Sequence, residues 1–318
     1  MKAMRLHETG GRLVADEIAP PRPGAGEVSV RVAACGVNFA DTLMVQGRYQ
    51  EKPVLPFAPG LEVAGTIEAV GEGVDLVPGT RVAALCGHGG MAEVAIAPAP
   101  TCVALPDDMT MTAAAGLQVA YGTGHVALAY RARLQPGERL LVLGAAGGTG
   151  LAAVEIGALM GAKVIAVARG AERIETARSA GAHHVIDSDS ADLREAVKTL
   201  GGADVVYDPV GGDQWKAALR AANPEARLMP IGFASGEVPQ IPANILLVKN
   251  LDVIGFYWGA YYRFRPDVLA ASFRQLLTWV AEGRLTPRVG HVLPLSDANE
   301  ALALLSERRA TGKVVLTP

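Results

Sequence analysis

Short apolar stretches separated by Gly/Pro turns occupy the first third of the chain, at 28–32, 64–70 and 81–85, and Val77-Pro78-Gly79-Thr80 is one of the turns between them. Such short, punctuated runs predict strands of a compact β-rich region. Ten of the twenty prolines lie in the first 106 residues, and none lies from 107 to 135. An Ala-rich helical pattern begins there, near Thr112, and its apolar face continues through Ala120, Val126 and Leu128.

From Pro136 the pattern changes to apolar runs of five or six residues alternating with helical segments. This is the signature of β-α units feeding a parallel sheet. The runs predict strands at 139–143, 163–168, 184–186, 203–207, 227–231 and 251–256, with helices at about 150–160, 172–180, 192–200 and 214–221. Helices at 266–282 and 297–308 lead to a last strand at 313–317. The fold class is therefore α/β, a β-rich region joined to a doubly wound, six-stranded parallel sheet whose ligand site lies at the carboxyl ends of the strands.

With 318 residues, two domains are expected. Apolar residues make up 50% and charged residues 19%, which excludes a disordered chain. Lys+Arg 29 against Asp+Glu 32 gives a net charge of -3, and no basic cluster matches a nucleic-acid backbone. No run is long or apolar enough to span a membrane, so a cytoplasmic protein is expected. Cys35, Cys86 and Cys102 form no C-x-x-C pair, and His183-His184 has no carboxylate or Cys at ligand spacing; neither a disulfide framework nor a metal site is expected.

The most informative chemistry lies where the strand at 139–143 meets Gly144-Ala145-Ala146-Gly147-Gly148-Thr149-Gly150 and a helix follows at once. A small-residue turn of this kind, with Ala145 at the first glycine position, lets backbone approach a pyrophosphate at a helix amino end. Gly147 carries no side chain to block that approach, and Gly150 permits close packing. About 20 residues on, an NAD site usually presents an acid to the ribose; here Ala168 stands there, followed by Arg169 and then Arg173. Two cations and no carboxylate suit a 2'-phosphate, so NADPH is the expected cofactor.

These residues resemble the medium-chain dehydrogenase/reductase superfamily, and within it the zinc-independent quinone oxidoreductases related to zeta-crystallin. The resemblance spans essentially the whole chain. It rests on Gly36-Val37-Asn38-Phe39-Ala40-Asp41, Gln46-Gly47-Arg48-Tyr49, 55–65, 144–150, Tyr207-Asp208-Pro209-Val210-Gly211-Gly212 and Thr311-Gly312-Lys313-Val314-Val315-Leu316. It implies a GroES-like catalytic domain from 1–122 and 260–318, with a Rossmann domain at 123–259 inserted. Zinc-dependent relatives carry Cys where Asn38 stands and His where Leu61 stands, and an amide and an alkyl chain do not make the site that zinc prefers. No metal is expected. Without that Lewis acid, reduction is favoured, with hydride passing from NADPH to an electron-poor quinone or enone. A 2-enoyl thioester reductase and a non-catalytic NADPH-binding protein are the alternatives.

By the same resemblance, Asn38 orients the substrate or the nicotinamide ribose, Asp41 orders a water or Tyr49, and Tyr49 donates a proton or hydrogen bond to the reduced acceptor. Asp41 at a strand-to-helix junction reads equally well as a helix cap. Ala146, Gly147, Gly148, Thr149, Gly150, Arg169 and Arg173 are the expected nucleotide contacts, with Thr123, Gly232, Phe233 and Phe256 toward the nicotinamide. A homodimer is expected, paired through the strand at 251–256.

Overall fold

A computed structural model describes all residues from Met1 to Pro318. The chain divides into two compact units, one formed by 1–119 with 277–318 and the other by 120–276. The second crossing therefore falls inside the helix Pro266–Ala281, later than the boundary at 260 expected from the sequence. No helix is long and apolar enough to cross a membrane.

The first unit is built on a seven-stranded sheet. Its long strand Glu27–Val37 pairs antiparallel with Glu62–Val70, Val94–Pro98 and Lys313–Thr317. Val28, Val30 and Val32 are buried along it, and exposed Arg31 and Ala33 flank Val32 with the period of a half-buried strand. They join Val63, Ile67, Val82, Met91 and Leu316 in one core cluster.

The second unit holds the parallel sheet expected from the alternation. Its strands are Arg139–Val142, Lys163–Ala168, His184–Asp187, Ala203–Asp208, Ala222–Pro230 and Asp252–Val253, and every neighbouring pair is parallel. Numbered within this unit, their order is 3-2-1-4-5-6, so the order reverses beside the first strand. Leu140, Leu141, Val142, Val205 and Val206 are fully buried, as strands covered on both faces require.

Two elements depart from expectation. The strand expected at 251–256 shortens to Asp252–Val253. Ile254 still donates its N–H to Leu228 O, but the next ladder bond needs an N–H at Pro230, which has none. The helix expected from Thr112 breaks into Met111–Ala114 and Gly122–His125 with wide turns at Leu117–Tyr121 and Val126–Arg131. Gly122 lies in this run because a Cβ there would meet the Trp258 ring at 2.8 Å.

Candidate active site and nucleotide turn

In the first unit, the strand Glu27–Val37 feeds the helix Phe39–Val45 through Asn38, whose extended backbone (φ -122°, ψ 156°) is that of an N-cap. Asp41, fully buried, accepts the Asn38 N–H at 2.7 Å through Oδ2 and the Gly60 N–H at 2.9 Å through Oδ1. Both oxygens are thus taken by backbone. This is the helix-cap arrangement, in which nearby N–H groups satisfy a buried carboxyl group. Burial pushes the Asp41 carboxyl up to about 7, against the opposing pull of those two N–H groups.

Asn38 is also buried, and its side chain sits in a polar cluster. Its Nδ2 donates to Glu62 Oε1 at 3.0 Å and to Gly36 O at 3.3 Å, while its Oδ1 accepts from Lys313 Nζ at 2.6 Å. Lys313 also pairs with Glu62 Oε1 at 2.5 Å, and Glu62 Oε2 accepts the Val119 N–H at 2.9 Å. Neither Glu62 nor Lys313 stood out in the sequence, although each places a charge at the start of an apolar strand run. Tyr49 lies partly buried against the core of this unit.

The cysteines behave as packing residues. Cys35 is buried, Cys86 and Cys102 are half-buried, and burial raises all three thiols above their ordinary value. None is a thiolate at neutral pH.

In the second unit, the turn after Arg139–Val142 leads into the helix Gly148–Leu159, with Gly147 as an N-cap that has no side chain to satisfy the first turn. The N–H groups of Gly148, Thr149 and Gly150 consequently have no intrahelical acceptor, and they sit at the positive end of the helix. A Cβ on Gly150 would lie 2.3 Å from Gly144 O, so the fold itself demands glycine there. At Gly147 the nearest such atom is Gly144 O at 3.5 Å, which leaves the space above this residue for a ligand. The turn thus fits a pyrophosphate. Ala146 is buried beneath it.

The second strand ends at Ala168, and Arg169 follows on the surface. Gly170, at φ +79°, turns the chain into the helix Ala171–Ser179, which carries Arg173 in its first turn. Asp208 closes the fourth strand and accepts the Val210 and Gly211 N–H groups at 2.6 and 2.9 Å. The following strand returns to it, since Gly232 donates its N–H to Asp208 O at 3.3 Å, and Phe233 beyond is exposed. Thr123 is buried in Gly122–His125. Phe256, outside the shortened strand, packs on Tyr261 with ring centres 5.5 Å apart. His183 accepts the Val164 N–H through Nδ1 at 3.2 Å, a purely structural contact.

Comparison with known proteins agrees with these features. A family model described as "Alcohol dehydrogenase GroES-like domain" matches residues 24–107, and one described as "Zinc-binding dehydrogenase" matches 148–281. The quinone oxidoreductase-like protein 2 homolog of Nematostella vectensis is 41% identical over 323 residues, covering 99% of this chain and 88% of that protein. Among solved structures, Escherichia coli quinone oxidoreductase complexed with NADPH is 31% identical with a TM-score of 0.93, and all of each chain is covered. The Thermus thermophilus quinone oxidoreductase, also solved with NADPH, is 35% identical with a TM-score of 0.89 over the full length of both chains. On this likeness in sequence and structure, the chain belongs to the zinc-independent quinone oxidoreductase family of the medium-chain dehydrogenases/reductases.

Proposed function

We propose that this protein is an NADPH-dependent reductase of quinones or enones that works without a metal. The observation that carries the reading is the nucleotide turn: an uncapped helix start, open space above Gly147, and Arg169 with Arg173 where an NAD site would place an acid. In this reading Ala146, Gly147, Gly148, Thr149 and Gly150 hold the pyrophosphate, and Arg169 and Arg173 take the 2'-phosphate. Thr123, Gly232, Phe233 and Phe256 serve the nicotinamide end. Bound NADPH supplies a hydride.

An electron-poor conjugated acceptor needs only hydrogen-bond help for the negative charge it gains on reduction. Tyr49 gives that help and the balancing proton, so a quinone leaves as hydroquinone and an enone as the saturated carbonyl. Asn38 orients bound ligand, and Asp41 holds the Asn38 and Gly60 backbone in place. Asn38 and Leu61 supply no thiolate or imidazole, which supports metal-free chemistry. A chelator is therefore expected to leave turnover unchanged.

A second copy of the chain is the proposed partner. The helix Ala243–Lys249 buries none of its residues, Leu247 and Val248 are 78% and 74% exposed, and Asp252–Val253 forms an open sheet edge beside it. Apolar groups so exposed next to an unpaired edge are suited to a self-complementary contact.

The test is oxidation of NADPH, with NADH as control, against a 1,4-quinone, an α,β-unsaturated ketone and crotonyl-coenzyme A. Turnover of the quinone or ketone with NADPH supports the reading. Preference for the thioester, abolished in Tyr49→Phe, makes this an enoyl thioester reductase instead. Tight NADPH binding with no turnover makes it a binding protein.

A further inference from the structure

Three strands of the second unit end side by side at its ligand edge. The first leads into the nucleotide turn 144–150, the fifth leads into Gly232 and Phe233, and the fourth, Ala203–Asp208, lies between them. Whatever holds the end of the fourth strand therefore stands between the segments that the reading above gives to the pyrophosphate and to the nicotinamide.

Asp208 holds it. Its Oδ1 accepts the Val210 and Gly211 N–H groups, which closes the turn 209–211 back on the strand. That turn makes contacts on both sides. Toward the first strand, the Val210 side chain closes on Gly144, where a Cβ would lie 2.8 Å from its Cγ2. Toward the fifth, Pro209 O accepts the Ala234 N–H at 3.1 Å and Val210 O accepts the Ser235 N–H at 2.9 Å. The Asp208 carbonyl accepts from Ile231 and Gly232 beside them. Asp208 is fully buried, and its Oδ2 meets no donor of the protein. A buried carboxylate with an unmatched oxygen is a costly way to close a turn, which points to a use beyond folding.

We infer that Asp208 is a positioning residue for the nicotinamide end of NADPH: it holds the turn 209–211, and the turn sets the loop of Gly232 and Phe233 against the nucleotide turn. This rests on the NADPH reading above. Asp208 acts through backbone and needs no contact of its own with the nucleotide. When the turn is released, only the fraction of molecules with the loop in place binds the whole nucleotide, and the apparent affinity falls by that fraction.

NADPH binding is followed by the fluorescence of the nucleotide. Adenosine 2'-phosphate, which has neither pyrophosphate nor nicotinamide, is followed by calorimetry. Asp208→Ala is expected to weaken NADPH about tenfold and to leave adenosine 2'-phosphate, which reaches only Arg169 and Arg173 in this reading, unchanged. Asp208→Asn keeps an Oδ1 that accepts both N–H groups, and should restore NADPH to within about twofold of wild type. A general loss of structure would neither separate the two ligands nor be rescued by the amide. Asp208→Ser, whose hydroxyl accepts the same N–H groups more weakly, carries the test if the Ala variant does not fold, and should weaken NADPH alone. Equal weakening of both ligands, unchanged NADPH affinity in Asp208→Ala, or an Asn variant as weak as Ala overturns the assignment. Wild-type protein that leaves NADPH fluorescence unaltered overturns the cofactor reading itself, and is seen before any variant is made.

Discussion

At Asp41 the cap and the charge oppose each other. Two backbone N–H groups favour the carboxylate, whereas burial favours the neutral acid and prevails, lifting the group to about 7 from an ordinary 3.8. The folded state therefore holds a proton that the unfolded chain releases near pH 4. Stability from this group is full below that point and declines as pH rises toward 7. Asp208, raised to about 6 by burial, acts in the same direction. Urea unfolding of wild type and Asp41→Asn between pH 4 and pH 8 should show wild type gaining on the variant as pH falls from 7 to 4, and parallel curves would refute this. Asn38 and Asp41 were legible in the sequence because a polar pair interrupts an apolar strand before a helix. Their partners were not, since Lys313 lies 275 residues from Asn38 and 251 from Glu62, and no local pattern reports contacts at that separation.

The nucleotide turn separates two reasons for glycine within one element. A methyl on Gly150 would press on Gly144 O, so Gly150→Ala should lose stability on the order of 1–3 kcal/mol, measured by thermal or urea unfolding. Gly147→Ala meets only ordinary contact; it should unfold like wild type and yet bind NADPH weakly. Similar losses of stability in both variants would mean that neither glycine is kept open for a ligand. At the end of the next strand, Arg169→Ala should weaken NADPH about tenfold to a hundredfold with little change for NADH, the cost of a lost charge-assisted contact. Strand, turn and helix were readable here because each follows the last without interruption. The run from Thr112 was less so: its turns widen at Leu117–Tyr121 and Val126–Arg131, and the Trp258 ring that packs at Gly122 comes from far along the chain.

For the molecule as a whole, the alternation of strands and helices was enough to give a doubly wound sheet, and turn spacing gave the β-rich unit. The division of the chain was harder to read, because it falls inside one continuous helix, Pro266–Ala281, with no change of composition to mark it. Self-association is the prediction at this scale. Sedimentation should find more than the 33.0 kDa single chain, and Leu247→Asp with Val248→Asp should reduce it to that mass. A wild-type protein that sediments as one chain at every concentration would remove the partner copy.

The strand Lys313–Thr317 lies between Val289–Pro294 and Glu27–Val37, inside the sheet of the first unit. A ribosome adding 5–20 residues each second needs roughly 15 to 55 seconds to travel from Asn38 to Lys313. Until Lys313 is made, the nascent first unit has an open strand edge at Cys35–Val37 and a Glu62 carboxylate without its counterion, whereas the inserted Rossmann unit has all its residues once Leu276 is made. The nucleotide-binding half is thus ready before its partner, and chaperones that cover open sheet edges would find their substrate in the growing chain.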